Sequence, residues 1–234
     1  MHEPLKKIAA GTAVVAFLLT GCAAQPVAQN TGPAGSPAAV SASPGNPEQL
    51  ARQLIEYHRS GAYDRDVAAM IGQARAYVDE RAGQVSRPAI VLDIDETSLS
   101  NLPEILWSNF RYRISTSTWK EGDPTAAIAP TLALFNAVKA REIAVFFVTG
   151  RLNSSRAGTI SELRAAGYDG WAGLAMRPTG SSTPSAADFK APERAKIAAR
   201  GYTIIANIGD QPSDLAGGYA ERTFLVPNPF YRVQ

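Results

Sequence analysis

Cysteine and histidine are almost missing from this chain. Of its 234 residues one is cysteine, Cys22, and two are histidine, His2 and His58. A single thiol cannot close a disulfide within the chain, and two distant histidines cannot build a histidine-rich zinc or binuclear centre. No Gly-x-x-x-x-Gly-Lys-Ser/Thr loop occurs, so the usual cradle for a nucleoside triphosphate is absent too. Charge of one sign is also scarce. The 23 lysines and arginines stand against 21 aspartates and glutamates, without a basic cluster or aromatic–basic interleaving to follow a nucleic acid. His58 falls in an amphipathic helical pattern, away from every other chemistry-bearing motif, and reads as structural.

The N-terminal segment stands apart. Lys6 and Lys7 precede an apolar run from Ile8 to Leu19, shorter than the ~20 residues a membrane-spanning helix needs. It reads as a secretory signal core, and a lysine pair rather than twin arginine favours the general export route. Leu19-Thr20-Gly21-Cys22 resembles the bacterial lipoprotein box. That resemblance implies that residues 1–21 are a signal peptide and that Cys22 is lipidated. The chain would then be exported and lipid-anchored to a bacterial membrane, in the periplasm or at the cell surface. Residues 22–47 carry Ala, Pro, Gly, Ser, Gln and Asn without charge, a composition that cannot bury enough apolar surface to order itself. This stretch is expected to be a tether, with the folded domain at 48–234.

The overall 45% of hydrophobic residues suffices for one sizeable core. Two N-terminal helices are expected at 47–61 and 64–82, from the spacing of Leu50, Leu54 and Tyr57 and then of Val67, Met70, Ile71, Ala74 and Val78. Strand-like runs follow at 89–93, 143–148, 171–175, 203–208 and 223–226. Helical patterns lie between them near 130–141, 154–166 and 190–200, closed by Gly167 and Gly201. Such alternation predicts an α/β fold, a Rossmann-like parallel sheet with helices on both faces. Residues 98–128 fit neither period and read as a small cap inserted after the first strand, over the mouth of the sheet. Its aromatics, Trp107, Phe110, Tyr112 and Trp119, are expected mostly to form the cap's own core.

Ile90-Val91-Leu92-Asp93-Ile94-Asp95-Glu96-Thr97 is a short β-branched run that breaks off in carboxylates. It suits a buried parallel strand, with Asp93 and Asp95 on one side and Ile94 opposite. Paired carboxylates resist ionising together unless a cation or a shared proton joins them. Other predicted strands end in Thr149-Gly150-Arg151 and in Gly209-Asp210-Gln211-Pro212-Ser213-Asp214. An open parallel sheet brings all its carboxyl ends to one edge, so these groups converge there. One carboxylate can attack phosphorus, a second can move protons, and oxygen donors suit Mg²⁺.

On these residues the chain resembles the haloacid-dehalogenase-like (HAD-like) superfamily, in its class C-type acid phosphatase branch with the related plant acid phosphatases and vegetative storage proteins. The match is carried by Asp93–Thr97, Phe146–Arg151, Phe189-Lys190, Gly201-Tyr202, Gly209–Leu215 and Pro227–Tyr231. The resemblance implies an Mg²⁺-dependent acid phosphatase acting on small phosphate monoesters, nucleotides among the candidates, through an aspartyl-phosphate. Asp93 would be nucleophile and metal ligand. Asp95 would be the general acid/base, its carbonyl also reaching the metal. Thr149, Gly150 and Lys190 would hold the phosphoryl group, and Asp210 and Asp214 would complete the metal site. Ser98-Leu99-Ser100-Asn101 is closer to the plant spelling of the motif, and Pro212 stands where relatives often carry an aromatic. A silent binding or storage protein, or a phosphotransferase, are the alternatives on the same fold. Arg151 suits either phosphate binding or a structural ion pair, and Pro227–Tyr231 is expected to pack against the last strand.

Overall fold

Three continuous apolar runs assemble side by side at the centre of a sheet because each is buried on both faces, and two more-exposed strands flank them. In the computed structural model the described residues are 46–108, 110, 125–180 and 185–233. They belong to the unit Pro44–Gln234; the unit Met1–Ser43, with the signal segment and Cys22, lies outside them, as do residues 44 and 45, Tyr112 and Trp119, whereas Asn46 and Pro47, expected at the end of the tether, cap and begin the first helix. The central strand β1 (Pro88–Leu92) is followed by a two-stranded ribbon, β2 (Leu99–Ser100) and β3 (Ala126–Ala127). The remaining strands are β4 (Ala144–Leu152), β5 (Gly173–Arg177), β6 (Thr203–Gly209) and β7 (Arg222–Leu225). The main sheet runs β5-β4-β1-β6-β7, every pair parallel.

Seven α-helices accompany the strands among the described residues: α1 (Pro47–Arg59), α2 (Ala62–Arg81), α3 (Leu102–Trp107), α4 (Ala129–Lys139), α5 (Arg156–Ala165), α6 (Ala186–Ala199) and α7 (Pro212–Leu215). The period-two alternation of the strands decides which helices they meet. Ile90, Leu92, Val145 and Phe147 pack with Val67, Ile71 and Val78 of α2 and Leu134, Phe135 and Val138 of α4. Their neighbours Ala89, Val91, Phe146 and Val148 face the other way, against Phe189 and Ile197 of α6. The sheet is thus covered on both faces, as the alternation of elements predicts. Asn46 caps α1, accepting from Glu48 N at 2.9 Å, and Ser185 caps α6, accepting from Asp188 N at 3.2 Å. α6 stops before Gly201, whose φ of 83° only glycine adopts cheaply.

Three expectations need correction. The strand predicted at 171–175 begins two residues later, and α6 begins four residues before the predicted 190, because the Ser185 cap adds a turn. The described ends of the insertion join the main domain. Leu99 pairs with Ala127, and Leu99, Leu102 and Ile105 are buried in the main core, so its base is part of the domain. Within it Phe110 packs on Phe230, whereas Trp107 is 83% exposed and belongs to no core. Among the described residues no helix is long and apolar enough to cross a membrane.

Candidate active site

The strand order reverses at β1, which has β4 on one side and β6 on the other. Open α/β sheets bind ligands at such a switch point. β1 ends at Leu92, and Asp93 N–H still donates to Ile208 O of β6 at 3.0 Å. The chain then doubles back. The amides of Thr97, Ser98 and Leu99 all donate to Ile94 O, at 3.3, 2.8 and 2.8 Å, and Ser98 Oγ donates to Asp93 O at 2.7 Å. Glu96 takes a φ of 52° to make the reversal. Ile94 is driven into the core, leaving the carboxyls of Asp93 and Asp95 at the sheet edge.

Asp93, Asp210 and Asp214 form one buried cluster, with one oxygen from each lying within 4.8 Å of the others. Lys190 reaches in from the first turns of α6, donating to Asp93 Oδ1 at 2.6 Å and to Asp214 Oδ1 at 2.5 Å. Asp214 Oδ2 accepts from Gln211 N at 2.9 Å, so Asp214 also closes the N-terminal turn of α7. The turn-closing contact and the cluster contact are therefore held by two different oxygens of one carboxylate. Gly209 makes the approach possible, since a Cβ there would collide with the Asp214 carboxyl group. Arg194, buried beneath, donates to Asp214 O at 2.7 Å and Asn207 Nδ2 to the same carbonyl at 2.9 Å, which fixes the loop from below. Lys196 instead pairs with Glu193 in solvent, so Lys190 is the cation of α6 that enters the site.

Three buried carboxylates against one ammonium leave the cluster short of positive charge. Burial pushes the Asp93 carboxyl well above the usual range, opposed by Lys190 and reinforced by Asp214 and Asp210. Asp210 is raised to about 6 by burial and by Asp214. Lys190 is held protonated by Asp214 and Asp93 despite its burial. An all-oxygen set with surplus negative charge suits a hard divalent cation. The donor set therefore fits the metal ion that the family resemblance implies.

Asp95 lies in a different environment. Burial would raise its carboxyl, but Arg151 outweighs that and holds it below the usual range, with help from Asn101. Arg151 grips it through Nη2 at 2.7 Å and Nε at 3.1–3.2 Å, and its other arm donates to Glu162 at 2.6 Å. Of the two roles weighed for Arg151, the ion pair is the one visible in the structure. Thr149, fully buried three residues before the end of β4, accepts from Arg151 N at 3.2 Å, and Gly150 follows it half-buried. Ser213 Oγ, on the same loop as Asp214, is buried without a hydrogen-bond partner.

Several site residues were not singled out in the sequence. Asn101 Nδ2 donates to Asp95 Oδ1 at 2.9 Å and its own amide to Glu96 at 2.5 Å. Glu96 is completely buried and raised to about 8, chiefly by burial and by Asp95. Pro227–Tyr231 does more than pack against β7. Asn228 Nδ2 donates to Asp210 Oδ2 at 2.7 Å, and Tyr231 Oη to Glu96 Oε2 at 2.6 Å. Asn101 and Asn228 are single polar residues without a periodic signature; only their positions within matched motifs could have flagged them.

With this geometry in view, the comparisons agree. A family model described as HAD superfamily, subfamily IIIB (acid phosphatase) matches residues 26–234. Acid phosphatase 1 of Solanum lycopersicum is 31% identical over 80% of this chain and 76% of its own length. The stem 28 kDa glycoprotein of Glycine max is 32% identical with the same coverage, and vegetative storage protein 1 of Arabidopsis thaliana is 29% identical over 61% of this chain and 54% of its own length. The class C acid phosphatase from Bacillus anthracis superposes with a TM-score of 0.64 at 17% identity, covering 80% of this chain and 86% of that one, a likeness of fold. The chain is a phosphatase and belongs to the acid phosphatases of HAD superfamily subfamily IIIB.

Proposed function

We propose that this acid phosphatase hydrolyses small phosphate monoesters with Mg²⁺, through an aspartyl-phosphate on Asp93. The observation that carries the reading is the cluster of Asp93, Asp210 and Asp214 around Lys190 at the switch point. Asp93, Asp210 and Asp214 would hold the cation, with the Asp95 carbonyl as a further ligand. The bound ion would offset the negative charge shared by the carboxylates and the phosphoryl group, which otherwise repel. Thr149, the Gly150 amide and Lys190 hold the phosphoryl oxygens. A carboxylate oxygen of Asp93 attacks phosphorus, the ester P–O bond breaks, and its electron pair leaves on the alcohol oxygen, which takes a proton from Asp95. Water then attacks the acyl phosphate, gives a proton to Asp95, and the bond to Asp93 breaks to release phosphate. Arg151 favours ionised Asp95, which suits the second half; a phosphate dianion beside Arg151 competes for the guanidinium and lets Asp95 carry its proton in the first.

p-Nitrophenyl phosphate turnover with and without Mg²⁺, in wild type and Asp93→Asn, tests this. Asp93→Asn is expected to lose at least ~10³-fold in kcat and to form no hydroxylamine-sensitive phosphoenzyme. Retained activity would remove Asp93 as nucleophile, and silence of the Mg²⁺-loaded wild type across a broad ester panel would favour a storage protein. We also propose export and lipid anchoring through Cys22, supported by the Leu19–Cys22 box behind its lysine pair and apolar run. Loss of fatty-acid labelling and of membrane association in Cys22→Ser checks it; labelling that persists excludes that site.

A further inference from the structure

Asp210 enters the cluster already committed to three donors. A carboxylate offers about four acceptor positions. Thr97 Oγ1 takes one on Oδ1 at 3.0 Å, while Gln211 Nε2 at 2.6 Å and Asn228 Nδ2 at 2.7 Å share Oδ2. One position is left, on Oδ1. We propose that the C-terminal segment 227–233 is the outer frame of the cation site, with Asn228 as a positioning residue that makes Asp210 a one-oxygen ligand through Oδ1. The proposal rests on the cation reading of the cluster.

The segment is built to hold that amide still. Val226 N–H donates to Gly209 O at 2.8 Å, so the chain leaves β7 in register with the loop that carries Asp210. Asn228 Oδ1 accepts from Phe230 N at 3.0 Å, a local turn that fixes the side chain and aims Nδ2 at Asp210. Phe230 is buried edge-on against Tyr63 at 5.0 Å and stacks with Phe110 at 6.4 Å. Gln211, the second donor on Oδ2, is oriented by the same segment, since its Oε1 accepts from Val233 N at 3.0 Å. The terminal torsion of an aspartate is broad, so without these donors the carboxyl is free to turn. Groups that orient a metal ligand from outside commonly set metal affinity by 10–100-fold.

The test is Mn²⁺ binding to the metal-free full chain, followed by electron paramagnetic resonance, beside thermal unfolding of the same samples. Asn228→Ser keeps an oxygen for the Phe230 amide but is too short to reach Asp210; Asn228→Ala loses both. Both variants are expected to bind Mn²⁺ about 10–100-fold more weakly than wild type, with the metal-free melting temperature of Asn228→Ser close to wild type. Wild-type affinity in Asn228→Ser overturns the assignment. So does a metal-free melting temperature that collapses in Asn228→Ser, which would mark Asn228 as a packing residue. If wild type itself binds no Mn²⁺, the cation reading fails and takes this inference with it.

Discussion

At the scale of single residues, two aspartates with one isoleucine between them have been given opposite electrostatic surroundings. Asp93 meets one lysine and two further carboxylates, while Asp95 meets a guanidinium in a two-pronged grip. Burial alone would raise both; the neighbours decide which one ends below the usual range. Removing Arg151 should therefore reach activity through Asp95. Arg151→Ala is expected to lower kcat by up to about 10²-fold and to move the Asp95 limb of the pH–rate profile upward. The sign follows from the loss of the cation that favours the ionised form. An unchanged profile with lowered kcat would mean that Arg151 serves phosphate alone.

At the scale of elements, most of the frame was legible because it is written in local periods. Ala89–Leu92 and Val145–Val148 are continuous apolar runs with both faces buried, which is how a central parallel strand reads. The alternation of strands and helices then fixed the sheet type, and the strand ends brought Asp93, Asp210 and Asp214 together without fine tuning. What escaped was written across long separations. Tyr231 reaches Glu96 over 135 positions and Arg151 reaches Asp95 over 56, and no periodicity encodes either. The two-residue pairing of β2 and β3 is too short to register as a strand pattern. The turn from β6 into α7 offers an element-level test, because Gly209 admits the Asp214 carboxyl where any side chain would meet it. Gly209→Ala is expected to cost about 1–3 kcal/mol from overpacking. It should also abolish the stabilisation by Mg²⁺, which for wild type at a hundredfold excess over Kd is about 2.7 kcal/mol. Denaturant unfolding with and without Mg²⁺ measures both, and a variant still stabilised by Mg²⁺ would show that Asp214 has kept its place.

At the scale of the whole molecule, the fold holds several carboxyls that resist ionisation, and this links stability, protons and metal. Without metal, Asp93 lies well above its usual value, Asp210 is raised from 3.8 to about 6, and Glu96 from 4.5 to about 8. A raised carboxyl retains in the folded state a proton that the unfolded chain releases. The folded protein thus binds more protons between the two values, and stability falls as pH rises through that interval. For Asp210 the loss spans pH 3.8 to about 6, and for Glu96 pH 4.5 to about 8. Asp95 acts in the opposite sense, since its lowered value stabilises the fold above the usual carboxyl range and that contribution fades in acid. The raised groups outnumber it, so the metal-free protein should lose on the order of a few kcal/mol between pH 5 and pH 8. Cation binding requires the deprotonated cluster and removes the repulsion that destabilises it, so stabilisation by Mg²⁺ should grow over the same interval. Melting curves of the metal-free and Mg²⁺-loaded protein from pH 5 to pH 8 are expected to diverge as pH rises. A metal-free melting temperature that climbs across that range would show that the cluster is ionised and satisfied without a cation.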